Sequence, residues 1–431
     1  MDAETRKLKL QEVQSNENNK VMTGIKLTYR GAVQQCNVYK IPLDYLVYNK
    51  YNGRIGMEVK SYERQNHLLN PEVETDRKII EGFLYDSRPD RNDRTMKSIL
   101  ETTQQRYGIV TADGIIIDGN RRALLLNKLF REREQLGLSF QKVEHCQYFL
   151  AIILPEEATE KDIQQLETIY QMGEDDKVEY NAIEKYLKCA DLRRVGFSNK
   201  DIADFMVKKE SEIDEWFERL KLMEDYLDTY GYQGIYTRLD RTEGPFVDLN
   251  NYLSSYESRS ANAKADWAYS DSDVSDLKIV CFDYIRARYE GKEFRDIGKT
   301  GRDGFGSIFS CKAVWDTFLE RHTNEIGSII EQTPEEIREQ HPGEDLTKLF
   351  RNRDIEWTNK AKDILENNLK HHVGKLDDKK DANQPIKLLE KALSLLETVD
   401  TDKDSFYNND NIVECVRKIN KISWEMKKLL D

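Results

Sequence analysis

The sequence predicts an α+β protein, with strands and helices mixed in the first 155 residues and mostly helical domains after them. Three observations carry this prediction. Short β-branched and aromatic runs, punctuated by Asp-Gly turns, gather before Pro155. Beyond it, apolar residues recur at spacings of three and four, as at Ile386, Leu389, Leu393 and Leu396. Proline is scarce, 8 in 431 residues, which leaves long helices uninterrupted. The expected domains are 1–155, a helical unit at 156–230, a connecting region at 231–275 and a C-terminal helical domain at 276–431.

Taken in order, VQQCNVYKIPLDYLVY (33–48) reads as an edge strand followed by a turn, because proline cannot donate to a central ladder. NKYNGRIG (49–56) is a polar loop. SRPDRNDR (87–94) alternates Arg with Asp and reads as a solvated loop. A helix from Met96 ends at Gly108, where glycine accepts a left-handed cap. Residues 109–111 and 115–118 form a hairpin about an Asp-Gly turn, and ALLLNKLF follows as a helix. VEHCQYFLAIIL (143–154) is the next strand. The Gly-, Ser-, Asn- and Asp-rich stretch 231–275 reads as a surface connection with at most one short helix. Residues 374–385 form a polar hinge, and 386–400 with 411–430 form a packed helical hairpin.

Bulk composition excludes several classes. A formal net charge of −13 opposes coating of nucleic acid by the overall field, so DNA contact requires a local basic patch. The amino-terminal stretch has no apolar core and predicts no secretory leader. No apolar run reaches the ~20 residues of a membrane span, and a cytoplasmic location is expected. Six cysteines are scattered singly and the six histidines lack ligand spacing, so no structural metal site is expected.

The chemistry concentrates in TADGIIIDGNRRALLLNKL (111–129). A glycine between strand and helix permits a sharp turn, and the first helical amides there lack intrachain acceptors. Those amides and the helix dipole favour an anion, phosphate above all. Arg121 and Arg122 add planar cationic forks at a place where cations are otherwise unfavourable. Two readings stand: an anionic ligand, or pairing with nearby carboxylates, Asp118 among them.

This segment resembles the DGNRR and DGQRR variants of the ParB/sulfiredoxin superfamily, in which it opens a helix and cradles a nucleotide triphosphate. IPLDYLVYNKYNGRI (41–55) resembles the family's opening strand and loop, with Asn49 and Arg54 at matching positions, and the likeness extends over about residues 35–225. The resemblance implies a ParB-like N-terminal domain with phosphate or nucleotide contacts from Asn49, Arg54, Asp118, Gly119, Asn120, Arg121, Arg122 and Gln171. It further implies a Mg²⁺-associated role for Glu174, and CTP or a purine triphosphate as ligand. The stretch 166–187 departs from the family's E-N-x-Q-R pattern, and Asn120 stands where the sulfiredoxin branch needs cysteine.

GFSNKDIADFMVKKESEIDEWFERLKLMEDYL (196–227) resembles the family's helix-turn-helix middle domain. Ser198 and Ser211 read as the two N-caps, with Ile213, Trp216, Phe217 and Leu220 on the core face of the second helix. Its outward positions carry Glu212, Asp214, Glu215 and Glu218, and residues 196–225 hold five Lys or Arg against nine Asp or Glu. Like charge opposes phosphate contact there, so protein contact or packing is the stronger expectation, with Lys208 and Lys209 the best DNA phosphate contacts available. A P-loop at Gly298, Lys299 and Thr300 fails because Glu293 stands where the motif needs glycine, leaving 290–306 as a flexible loop.

The expected function is an NTP-dependent switch in DNA binding, segregation, regulation or defence against foreign DNA, in a bacterial or phage setting implied by the resemblance. Alternatives are an NTP hydrolase or NTP-coupled nuclease of the same fold, and a nucleotide-free adaptor. A protein partner or homo-oligomer is expected, and no membrane.

Overall fold

The computed structural model describes residues 1–155, 158–172, 181–301, 306–407 and 409–430. It is an α+β structure: a six-stranded mixed sheet with flanking helices, followed by helices alone. After helix α1 (Ala3–Ser15) come β1 (Lys20–Tyr29), β2 (Ala32–Pro42) and β3 (Val47–Tyr48). Helices α2 (Gly56–Gln65), α3 (Glu74–Asp86) and α4 (Pro89–Thr102) follow, then the hairpin β4 (Gly108–Val110) and β5 (Ile115–Asp118). Helices α5 (Asn120–Arg131) and α6 (Phe140–Val143) lead to β6 (Tyr148–Ile153).

The strand order is β1-β2-β6-β4-β5-β3. β1, β2 and β6 pair antiparallel; β4 runs parallel to β6 with Ile109 opposite Ile152, and β3 runs parallel to β5. Side chains alternate across the pleat. Val110, Ile116 and Ala151 face a core built with α1, α3 and α5, while Ile109, Ile117 and Ile152 face Leu166. Leu166 belongs to α7 (Glu160–Met172). The sheet is thus covered on both faces, and the loops at the end of β5 are held between them.

Helices α8 (Ala182–Arg194), α9 (Asn199–Met206) and α10 (Glu210–Thr229) lead into an aromatic-rich core. It is completed by α11 (Glu243–Glu257), α12 (Asp271–Arg286), α13 (Gly291–Gly298), α14 (Lys312–Ile326) and α15 (Pro334–Gln340). The long α16 (Leu346–Glu397) runs out of it, and α17 (Asp404–Tyr407) and α18 (Asp410–Leu430) end the chain. Among the described residues, no helix is long and apolar enough to cross a membrane.

Several expectations are corrected. β2 is interior, because Pro42 is its last residue and its missing N–H costs no central ladder bond. β1 supplies the edge. The 87–94 stretch starts a helix, since Pro89 occupies the first turn, where an amide is unneeded. That helix stops at Thr102, and Gly108 opens β4 instead of capping it. The 231–275 stretch holds a fifteen-residue helix whose Phe246, Leu249, Tyr252 and Tyr256 are buried, so it is core where its composition predicts a surface connection. The loop expected at 290–306 begins as α13, with Phe294 and Ile297 buried; residues 302–305 lie outside the described residues. No hinge interrupts 374–385, because α16 continues through Pro385. Apart from half-buried Ile412, the large apolar residues of the two terminal segments are exposed, so they do not form a packed hairpin.

Candidate phosphate-binding site

β5 ends at Asp118, Gly119 turns the chain with φ 100° and ψ 15°, and α5 begins at Asn120. A Cβ on Gly119 would stand 2.7 Å from Cζ of Phe149, and one on Gly108 would stand 2.4 Å from that atom and 2.5 Å from the Asp118 carbonyl. Both glycines let the strand ends close over one aromatic ring. The Gly119 turn also demands a left-handed backbone. Because glycine has no capping side chain, the first amides of α5 receive no side-chain acceptor. Ala123 N–H is already satisfied by the Gly119 carbonyl, 2.9 Å away.

Asn120 and Asn49 build the wall. The Asn120 side-chain amide donates to the Ile116 carbonyl (2.8 Å), and its oxygen accepts from Asn49 N–H (2.9 Å). Asn49 in turn accepts from Tyr51 N–H (2.9 Å). Asn49 is buried behind the cavity and does not line it, whereas Asn52 does, its side-chain oxygen accepting from Arg54 N–H (3.0 Å). Gly53 N–H donates to Glu167 (2.8 Å), whose other oxygen is in a buried ion pair with Lys188. The loop carrying Arg54 is therefore anchored to α7 and α8. Gln171 donates to the Ile117 carbonyl (3.0 Å), fixing α7 against β5.

These elements enclose a cavity of about 560 Å³. Of the sequence-predicted residues, Arg54, Asp118, Gly119, Asn120, Arg121, Arg122 and Gln171 line it together. Arg106, Tyr107 and Tyr170 also line it. No motif marked these three, and only proximity to the hairpin in sequence could have suggested Arg106 and Tyr107.

The two arginines differ. Arg122 donates to the carbonyls of Arg106 (2.8 Å) and Tyr107 (3.4 Å), which aims its fork across the cavity wall. Arg121 has a buried Nη1 without a hydrogen-bond partner. Burial, then repulsion from Arg54, Arg91 and Arg88, pushes the Arg121 guanidinium down to about 10. Burial also lowers Arg122, with Asp118 acting in the opposite direction. Among the described residues, neither fork forms an ion pair with Asp118 or another acid. Positive charge is concentrated here, offset in part by Asp90 at Arg121 and by Asp118 at Arg122. Arg88 and Arg91 come from the SRPDRNDR stretch, whose alternating charge predicts little net field; Arg91 stays beside Asp90 (3.9 Å), and Asp90 partly offsets the repulsion on Arg121.

Arg54 and Ser87 also line a second cavity, about 730 Å³, which contains Glu58 and Glu184. Burial, then repulsion from Glu58, pushes the Glu184 carboxyl up to about 8, and burial raises Glu58. One oxygen of Glu184 accepts from Asn181 N–H (3.1 Å), and one oxygen of Glu58 is buried without a hydrogen-bond partner. Glu174 lies outside the described residues. Among the described residues, no group of three or more His, Cys, Asp or Glu is placed to hold a metal by itself.

The α9–α10 unit is separate from both cavities. Ser198 caps α9, accepting from Asp201 N–H as the sequence predicts. The second cap is corrected: α10 starts at Glu210, with Lys209 at the cap position, and Ser211 lies inside the first turn. Ile213 and Leu220 are buried as expected, while Trp216 and Phe217 are half-buried, the latter beneath Arg193 at 3.3 Å. Asp214, Glu215 and Glu218 are exposed. Lys208 is paired with Glu212 (3.5 Å), and Glu212 also accepts from Lys209 N–H (3.1 Å). The lysines of this turn sit beside acid. Gly298 of the rejected P-loop is a packing residue in α13, where a Cβ would stand 3.1 Å from Leu277.

No known family matches this chain, and no curated protein matches its sequence.

Proposed function

We propose that the cavity at Gly119–Arg122 binds the phosphate chain of a nucleoside triphosphate. The observation that carries this reading is Arg121: a half-buried guanidinium with an unpartnered Nη1, crowded by like charges, at an uncapped helix start. A polyanion repairs all of these at once. It accepts from the orphan N–H, screens the arginines from one another and occupies the helix amides. Mg²⁺ carried by the phosphates would neutralise remaining charge and draw on Glu58 and Glu184. By resemblance to ParB-like proteins, occupation switches how the chain associates with DNA or with a protein partner, through different affinities for its states. The acidic face of α10 favours the protein partner.

The test is chemical unfolding or thermal shift of the full chain with each ribo- and deoxyribonucleoside triphosphate and Mg²⁺. A specific ligand at 100 times its Kd adds about 2.7 kcal/mol. Arg121→Ala and Arg122→Ala should remove that gain. Absence of stabilisation by every nucleotide, or a gain undiminished in both variants, rejects the reading. Turnover abolished by Arg121→Ala would assign hydrolysis to the same cavity.

A further inference from the structure

The last helix leaves its apolar side uncovered. No residue of α18 is buried, and Leu429 is 87% exposed. Ile412, Cys415, Ile419, Ile422, Met426 and Leu429 follow one another at spacings of 3, 4, 3, 4 and 3. That 3.5-residue period is the seam of a coiled coil and is narrower than the stripe of a helix lying on a globular core. A contiguous apolar seam of this length marks an interaction surface. The end of α16 adds exposed Leu389, Leu393 and Leu396.

We propose that α18 pairs antiparallel with α18 of a second copy of this chain. Reversal sets Ile412 opposite Leu429, Cys415 opposite Met426 and Ile419 opposite Ile422 of the second copy, and the same three pairs recur in reverse. Every layer is apolar and every contact reciprocal, as a two-fold interface requires. Charge selects the direction. Lys418 and Glu425 flank the seam on one side. In the antiparallel register each faces the other's counterpart across the Ile419–Ile422 layer, giving two intermolecular ion pairs. In a parallel register Lys418 faces Ser423 and Glu425 faces Leu430, and neither pair forms. The remaining cations Arg417, Lys421, Lys427 and Lys428 lie away from the seam, with Lys421 3.9 Å from Glu425 and Lys428 over the Trp424 ring.

Sedimentation equilibrium of the full chain should give about twice 50.6 kDa. Ile419→Lys combined with Ile422→Lys should give the monomer with unchanged ellipticity from the body, because these side chains are exposed in the single chain. Lys418→Glu should weaken the dimer roughly tenfold by placing like charges opposite, and adding Glu425→Lys should restore it. Under mild oxidation, Met426→Cys should form a covalent dimer with Cys415 of the second copy, while the parent chain should not. A monomer at every concentration overturns the proposal, as does a charge reversal that the second reversal fails to rescue. Cross-linking of the parent through Cys415 alone overturns it too, since that requires parallel helices.

Discussion

Two groups of arginines in this chain meet opposite fates. In the helical core, Arg286 donates to Asp354 (2.7 Å) and to both oxygens of Glu331 (2.9 and 2.6 Å). Arg353 shares Glu331 (3.0 Å), and Arg238 shares Asp354. Burial disfavours the Arg286 charge, yet Glu331 and Asp354 carry it above its ordinary value. At the end of β5, Arg121 is lowered by burial and by other arginines, Asp90 only partly offsets them, and among the described residues no acid forms an ion pair with it. The first group is neutralised within the fold by its own carboxylates, although the buried Arg238 Nε has no hydrogen-bond partner. On the reading proposed above, a bound anion completes the second, and the difference separates arginines that hold the structure from arginines that wait for a guest.

The sharpest way to break this contrast is to remove a counter-ion from the paired group. Asp354→Ala strands Arg238 in the core, leaves Arg286 with Glu331 alone, and should cost about 3–5 kcal/mol in urea unfolding. A loss below about 1 kcal/mol would mean the network is incidental. A carboxyl between the groups gives the next effect. Glu184, raised to about 8 from an ordinary 4.5, holds a proton in the folded state that the unfolded chain releases. Its stabilising contribution is therefore full below pH 4.5 and is lost as pH rises through 8. Glu184→Gln should flatten the decline of stability across this window, which one proton limits to about 1.4 kcal/mol per pH unit. An unchanged slope in the variant would show that Glu184 is not the group responsible. Smaller again, Gly119→Ala should cost about 2 kcal/mol, because φ 100° and the Phe149 ring both oppose a Cβ. It should also weaken any ligand held by the α5 amides.

The contrast between the groups also explains what the sequence could and could not reveal. The Asp-Gly turn, the hairpin and the start of α5 were legible because each depends on neighbours within a few residues. So were the seven cavity residues, grouped by a resemblance and by one turn. Arg88 and Arg91 were hidden because a helix, not composition, puts their charge beside Arg121. The complete network was illegible: Arg238 and Asp354 are 116 residues apart, and Arg286 and Glu331 are 45 apart. Nothing local in Asp354 tells it from a surface aspartate. β1 was missed because Gly24 and its register shifts blur the alternation of KVMTGIKLTY. The helix at 243–257 was obscured by small polar residues on the face that its buried aromatics do not use.

The smallest effect gives the most discriminating test. Arg121→Met keeps most of the side chain's apolar length while deleting the charge that burial and Arg54, Arg88 and Arg91 disfavour. Without ligand, the variant should be as stable as the parent or gain roughly 0.5–1 kcal/mol, since sites that await a ligand are commonly held at some cost to the fold. With nucleotide and Mg²⁺, the parent should overtake it, so the order of the two unfolding midpoints reverses. A structural arginine behaves otherwise: Arg286→Met should destabilise with or without nucleotide, because Asp354 and Glu331 lose their partner. If Arg121→Met is destabilising by more than about 1 kcal/mol in the absence of any ligand, Arg121 belongs with the core group and its empty fork is not a seat for phosphate.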